Sequence, residues 1–220
     1  MKRKIQKIIS VYRLLDSSIF ALIRFIKLNF FSKHIRRHNG FFYPYPNLEI
    51  EWAEGAVIEL YDSLYIGKST SKKSKKYSRL VMGRNSRIKV DGKAEILEGC
   101  DLQILDNANF YVAKFHSNID LEVLCGYQIR LCGEVTIGRH VRIKDYNGHY
   151  TTSEFYPKAK AVIVEGNVWI CTGTTLNAGT YICSGSVIMD ESNVWDEIPE
   201  NSLVQGNPAK VIDTDIKFKI

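Results

Sequence analysis

"VIVEGNVWICTGTTLNAGTYICSGSVI", residues 162–188, keeps a beat of six. Val164, Ile170, Leu176, Ile182 and Ile188 stand at every sixth place, and Val194 continues the series. Four places after each of the first five, a small or branched residue recurs: Val168, Thr174, Thr180, Ser186 and Ser192. A hexapeptide of this kind is one short strand plus a bend, and three of them, about 18 residues, close one triangular coil of a parallel β-helix. The branched residue points into the prism and stacks on its equivalents in neighbouring coils. No coil buries its inner face alone, so stacking supplies the core. Gly138, Gly173 and Gly179 suit the tight bends.

Working upstream, Ile119, Cys125, Leu131, Ile137 and Ile143 are again spaced by six, with Val123, Ile129, Val135 and Val141 four places on. Ile96, Cys100 and Leu102 keep the pattern, and Ile104, Ala108 and Phe110 keep it with a two-residue slip. Residues 48–118 therefore read as the same solenoid with insertions, the basic "SKKSKKYSR" (71–79) being an exposed loop.

Ahead of residue 48 the pattern changes. Ile5, Ile8, Tyr12, Leu15, Ile19, Leu22, Ile26 and Phe30 fall at steps of three and four, the period of an amphipathic helix. Residues 1–40 hold ten Lys or Arg and one acid, Asp16, so this arm carries about +9 of a total of +6, and the body is slightly acidic. Arg13, Asp16, Arg24 and Lys27 interrupt the apolar run well short of the ~18 residues that a membrane span needs, and no signal-peptide cleavage pattern follows. A basic helix of this type lies in the interface of an anionic bilayer, or packs its apolar stripe on the body or on a neighbouring subunit. The body lacks the shared basic and aromatic face of a nucleic-acid binder. The five cysteines (100, 125, 132, 171, 183) are odd in number and show no C-x-x-C, which argues against a disulfide framework or a zinc site and for a reduced, cytoplasmic setting.

The beat stops once, at "KDYNGHY" (144–150), where a loop spanning about 144–161 carries a histidine out of the prism. Taken with the run at 162–188, the "NVWI" step (167–170), the "IP-x-x-S" exit (198–202) and the "GNPAKVI" ending (206–212), the chain resembles the hexapeptide-repeat acyltransferases. It is most similar to the sugar O-acetyltransferases of bacterial polysaccharide and lipopolysaccharide synthesis, over roughly residues 48–212. The resemblance implies a left-handed parallel β-helix, a homotrimer, and acetyl-coenzyme A as co-substrate bound between adjacent prisms, with no metal.

The resemblance also assigns roles. The loop segment Asp145, Tyr146, Asn147, Gly148, His149 matches the family's D-x-[DN]-G-H-like element, which makes His149 the general base. A sugar hydroxyl attacks a thioester poorly unless a base takes its proton, and imidazole, with an ordinary pKa of about 6.5, suits that task. Asp145 or Glu154 would orient the ring, or Asp145 would merely cap the loop's turn. Asn147 is expected on the acceptor side, Trp169 on the acceptor or pantetheine side of the groove or else at a subunit contact, and the backbone N–H of Thr172 as oxyanion donor. Lys210 would meet a coenzyme A phosphate, or is a plain surface lysine.

Two departures stand out. Cysteine at 171 and 183 and methionine at 189 replace the glycine usual after the aliphatic residue. In the last full coil, Met189 to Glu197 brings acids, Asp190 and Asp196 among them, to where relatives carry small residues and a lysine beside the cofactor. The expected organisation is a helical arm (1–47), an acyltransferase β-helix (48–212) and a tail (213–220). The expected activity is transfer of acetyl to a hydroxyl of a sugar or glycolipid precursor at the cytoplasmic membrane face. N-acylation of a nucleotide-linked amino sugar, or a non-catalytic trimeric scaffold, are the competing readings.

Overall fold

The computed structural model describes residues 2–71, 73–152 and 158–219, with side chains from residue 6 onward. Helices α1 (Lys2–Leu14) and α2 (Ile19–Phe31) precede a column of short strands stacked into three sheets. Face A runs from Ile35–Arg37 to Glu197–Ile198, face B from Phe42–Pro44 to Leu203–Gly206, and face C from Leu48–Trp52 to Asn193–Val194. The chain visits A, B and C in turn, each strand pairing in parallel with the one a coil below. This is a three-sided β-helix. Its last strand, Ala209–Asp213, folds back antiparallel on Leu203–Gly206 and covers the open edge of face B, where unpaired backbone would otherwise invite another strand.

The six-residue period becomes the core. Val164 pairs with Ile182, Ile170 with Ile188 and Leu176 with Val194, each one coil apart, and all six are buried. The small residues four places on are also buried, and their hydroxyls are satisfied. Thr174 donates to Met189 O (3.1 Å), Thr180 to Val194 O (3.0 Å) and Ser186 to Pro199 O (2.8 Å). A buried hydroxyl needs such a partner, so Thr or Ser fits this position where the next coil offers a carbonyl, and Val168 fills it without one.

Register differs from the periodic reading in the coil before the loop. Ser117, not Ile119, stands opposite Ile137, and Val123, not Cys125, opposite Ile143. Ile119 lies in the corner, half-buried. Cys125 is carried to the end of face C, within 3.6 Å of the Asp145 carboxylate.

The solenoid also starts earlier than residue 48. Ile35 pairs with Ile58 and Phe42 with Leu64, so the first coil includes part of the expected arm. The expected single amphipathic helix is two. The chain turns at Asp16 (φ 52°) and Ser17 (φ 57°), and Ser18 caps α2 by accepting from the Ala21 N–H at 3.2 Å. Ala21, Phe25 and Leu15 then pack on Tyr45, Phe41 and Tyr43 of the first coil.

Candidate active site

Outward-facing residues of face B form a column one above another: His116, Thr136, Trp169, Val187 and Leu203. The turns from face B to face C add Asn118, Gly138, Cys171, Thr172, Met189 and Asp190, and together these side chains line a groove of about 530 Å³. Trp169 is 44% exposed and forms one wall. Gly138 sits so close beneath Thr172 that a Cβ there would lie 2.6 Å from the Thr172 nitrogen.

Thr172 and Asp190, both expected at the cofactor, do meet in this groove. The Thr172 N–H donates to Asp190 Oδ1 at 2.8 Å. A carboxylate from the next coil thus holds the backbone donor expected to serve an oxyanion. Burial, and then the Asp190 charge, pushes the Cys171 thiol up to about 11. At pH 8 this cysteine is therefore expected to resist alkylation in the folded protein, and Asp190→Ala to speed its modification; peptide mapping after iodoacetamide treatment reads both.

The second element is the loop, which leaves the prism at the turn from face C to face A. Its neck is a short antiparallel ladder. Tyr146 bridges Ala159, the Asn147 N–H donates to Lys158 O (2.9 Å), and the Lys160 N–H donates to Asp145 O (2.9 Å). Below the neck, the Tyr146 ring lies over Gly126, where a Cβ would come within 2.5 Å of it. Beyond the neck Gly148 turns at φ 81°, and His149 stands exposed.

Asp145 is fully buried. Its carboxylate accepts from the N–H of Gly126 (2.6 Å) and of Tyr127 (3.0 Å), tying the loop to the corner of the coil below. Burial raises its pKa above the usual carboxylate range, and backbone N–H groups of Gly126, Tyr127 and Gln128 work against that rise. Of the two roles expected for it, the geometry matches the turn cap. No hydrogen bond joins this carboxylate to the His149 ring, and each of its oxygens accepts from the corner. Glu154, the other expected partner, lies outside the described residues.

Lys210 is exposed on the terminal antiparallel strand, opposite Gln205 and outside the groove lining. Asp196 is likewise remote from the groove. It borders a separate hollow with Lys160, Tyr181 and Glu197 on the face A side. Of the two acids, Asp190 lines this groove and Asp196 does not. Asn147 contributes its backbone to the neck.

His116 was not anticipated. It stands in the groove column, and the misplaced register at Ile119 hid it: alternation from Phe115 and Ser117, both buried, turns His116 outward.

No family model matches the chain. The Saccharomyces cerevisiae protein YJL218W, provisionally named an acetyltransferase, is 32% identical over 173 residues, covering 70% of this chain and 87% of its own length. The galactoside O-acetyltransferase of Lactococcus lactis is 30% identical over 138 residues, 56% of this chain and 66% of its own. The crystal structure of the polysialic-acid-specific acetyltransferase NeuO superposes with a TM-score of 0.54 at 19% identity, covering 79% of this chain and 89% of that one. At that identity the likeness speaks to the fold, a left-handed parallel β-helix. With a curated relative matched along most of its length and a solenoid built from the same six-residue unit, the chain belongs to the hexapeptide-repeat acetyltransferases.

Proposed function

We propose that the protein transfers an acetyl group from acetyl-coenzyme A to a hydroxyl of a sugar or glycolipid precursor, with His149 as general base. The observation that carries this reading is the loop neck. Asp145 and the Tyr146–Ala159 ladder hold a segment outside an otherwise closed prism, and the segment presents an exposed imidazole. The O-acetyl preference draws on the Lactococcus lactis relative, which is named for acetylating galactosides.

In the proposed step, the acceptor O–H gives its proton to His149 while its oxygen attacks the acyl carbon. The tetrahedral oxyanion collapses, the C–S bond breaks, and the leaving thiolate recovers the proton from the imidazolium. The groove suits the pantetheine and acyl end of the donor, with Ile137, Trp169, Val187 and Leu203 as apolar walls. Thr172 N–H is the donor available to an oxyanion there, a group worth roughly 3 kcal/mol in such a site. Asp190 must release it first.

Groove and histidine lie at different corners of one prism, the first at the B-to-C turns and the second at the C-to-A turn. That separation supports a homotrimer in which the loop of one copy faces the groove of another.

The test is release of free thiol by purified protein from acetyl-coenzyme A, with galactosides and sialic acid oligomers in one set and nucleotide-linked amino sugars in another. Thiol release with the first set, and an ester rather than an amide product by NMR, is the expected outcome. Release with the amino sugars alone would move the reading to N-acylation. The Asp190–Thr172 bond favours a scaffold as second reading, and no release with any acceptor would support it. On the enzymatic reading, Asp190→Ala lowers the KM for acetyl-coenzyme A about fivefold, the effect of removing one exposed like charge near 4 Å in water.

A further inference from the structure

Helix α2 is apolar on both sides. Its inward arc, Ala21, Leu22, Phe25 and Asn29, is buried on the first coil. Its outward arc, Ile19, Phe20, Ile23, Ile26, Phe30 and Phe31, recurs at helical spacing and stays exposed, Phe20 at 82% and Phe31 at 81%. A helix apolar all round is one with a second apolar surface to meet.

Charge is arranged around that arc. Arg24 turns inward, and its guanidinium donates to the carbonyls of Leu48, Tyr45 and Pro44. Among the described residues this leaves Lys27 as the charge within the outward arc. Lys7, Arg13 and Lys33 are exposed nearby in the chain, and the Arg37 guanidinium lies 4.4 Å over the Phe30 ring. Residues 1–40 carry Asp16 as their one acid, and it accepts from the Ser69 hydroxyl.

We propose that this face docks on an anionic lipid bilayer, α2 lying in the interface with its outward phenylalanines and isoleucines among the acyl chains and the cations at the headgroups. Three arguments select the bilayer. At 13 residues α2 spans about 20 Å, short of the ~30 Å hydrocarbon core, so it lies on the membrane rather than across it. Among the described residues no helix is long and apolar enough to cross. A second copy would bring another strongly cationic arm to the same face, and like charges there repel, whereas acidic headgroups complement them. This docking stands apart from the acetyl-transfer reading and is tested without any acyl donor.

Full-length protein is sedimented with phosphatidylcholine vesicles, with and without about a third phosphatidylglycerol. Binding is expected to be at least about tenfold stronger to the anionic vesicles and to weaken in about 0.5 M salt, where exposed charges are screened within a few ångströms. Phe20→Ser/Phe31→Ser loses about tenfold or more of that binding, since both rings leave the acyl region, while its circular dichroism stays that of the parent. Lys27→Glu/Lys33→Glu removes the preference for phosphatidylglycerol. No binding to anionic vesicles, or full binding by the phenylalanine variant, would overturn the proposal. So would conversion of an oligomer to monomers by that variant in light scattering, which would make the face a subunit contact.

Discussion

His149→Ala is expected to lower kcat/KM for acetyl transfer by about 10³-fold, within the range that a positioned general base contributes. The loss falls on kcat, since the acceptor proton is taken only in the transition state. Folding should be untouched. The side chain is exposed beyond the loop neck, and surface substitutions of this kind stay within about 0.5 kcal/mol. Thiol release measured beside a thermal melt separates the two effects. Unchanged release in a folded His149→Ala protein would remove the imidazole from the mechanism; His116→Ala, from the groove column, is then the next variant to assay.

Asp145→Ala is expected to act in the opposite manner, on stability first. It deletes a fully buried acceptor and leaves the N–H groups of Gly126 and Tyr127 without a partner. Losing two hydrogen bonds to a charged, fully buried acceptor costs about 2–3 kcal/mol. For a chain of this size that corresponds to a fall in Tm of roughly 5–10 °C. Asp145→Asn keeps the shape and one acceptor oxygen and should lose less. At a temperature where it is folded, its kcat/KM should lie within about tenfold of the parent, because the carboxylate caps a turn and makes no hydrogen bond to the His149 ring. A group that orients a catalytic imidazole costs far more when amidated, about 10⁴-fold in a serine-protease triad. A loss of that size in folded Asp145→Asn would restore Asp145 to the catalytic machinery.

The same residue gives a pH signature. Burial raises the folded-state pKa of Asp145 above its unfolded value, so between the two the folded chain binds more protons. Stability from this group therefore grows as pH falls through the folded pKa, and is lost as pH rises past it. Urea midpoints of the parent relative to Asp145→Asn should accordingly improve on moving from neutral pH towards pH 4 (roughly the unfolded carboxyl range). A flat difference would show that the carboxyl titrates normally.

Much of the prism was legible in the chain because its pattern is local. Val164 to Val194 alternate and recur within each hexapeptide, and every one of them is buried where the period put it. The loop was legible for the same reason, as the one long break in that period. The solenoid's start was not. Ile35 and Phe42 are single inward residues in short strands, and only their pairing with Ile58 and Leu64 reveals them as coil.

Register failed where counting met coils of unequal length. Ile119 and Cys125 sit six apart by coincidence, and the hydrogen-bond ladder instead matches Ser117 to Ile137 and Val123 to Ile143. Spacing along a chain cannot fix which residues stand one coil apart, since that depends on every corner between them.

By itself, then, the sequence determined the six-residue architecture, the loop and the imidazole on it, because each is written in consecutive residues. The tertiary structure alone decided what Asp145 and Asp190 touch. The first is buried as a turn cap over Gly126 and Tyr127, and the second lies across the Thr172 N–H from the next coil. Both roles are contacts between coils some 18 or 19 residues apart in the chain, and a carboxylate's task is set by the donors that folding brings to it.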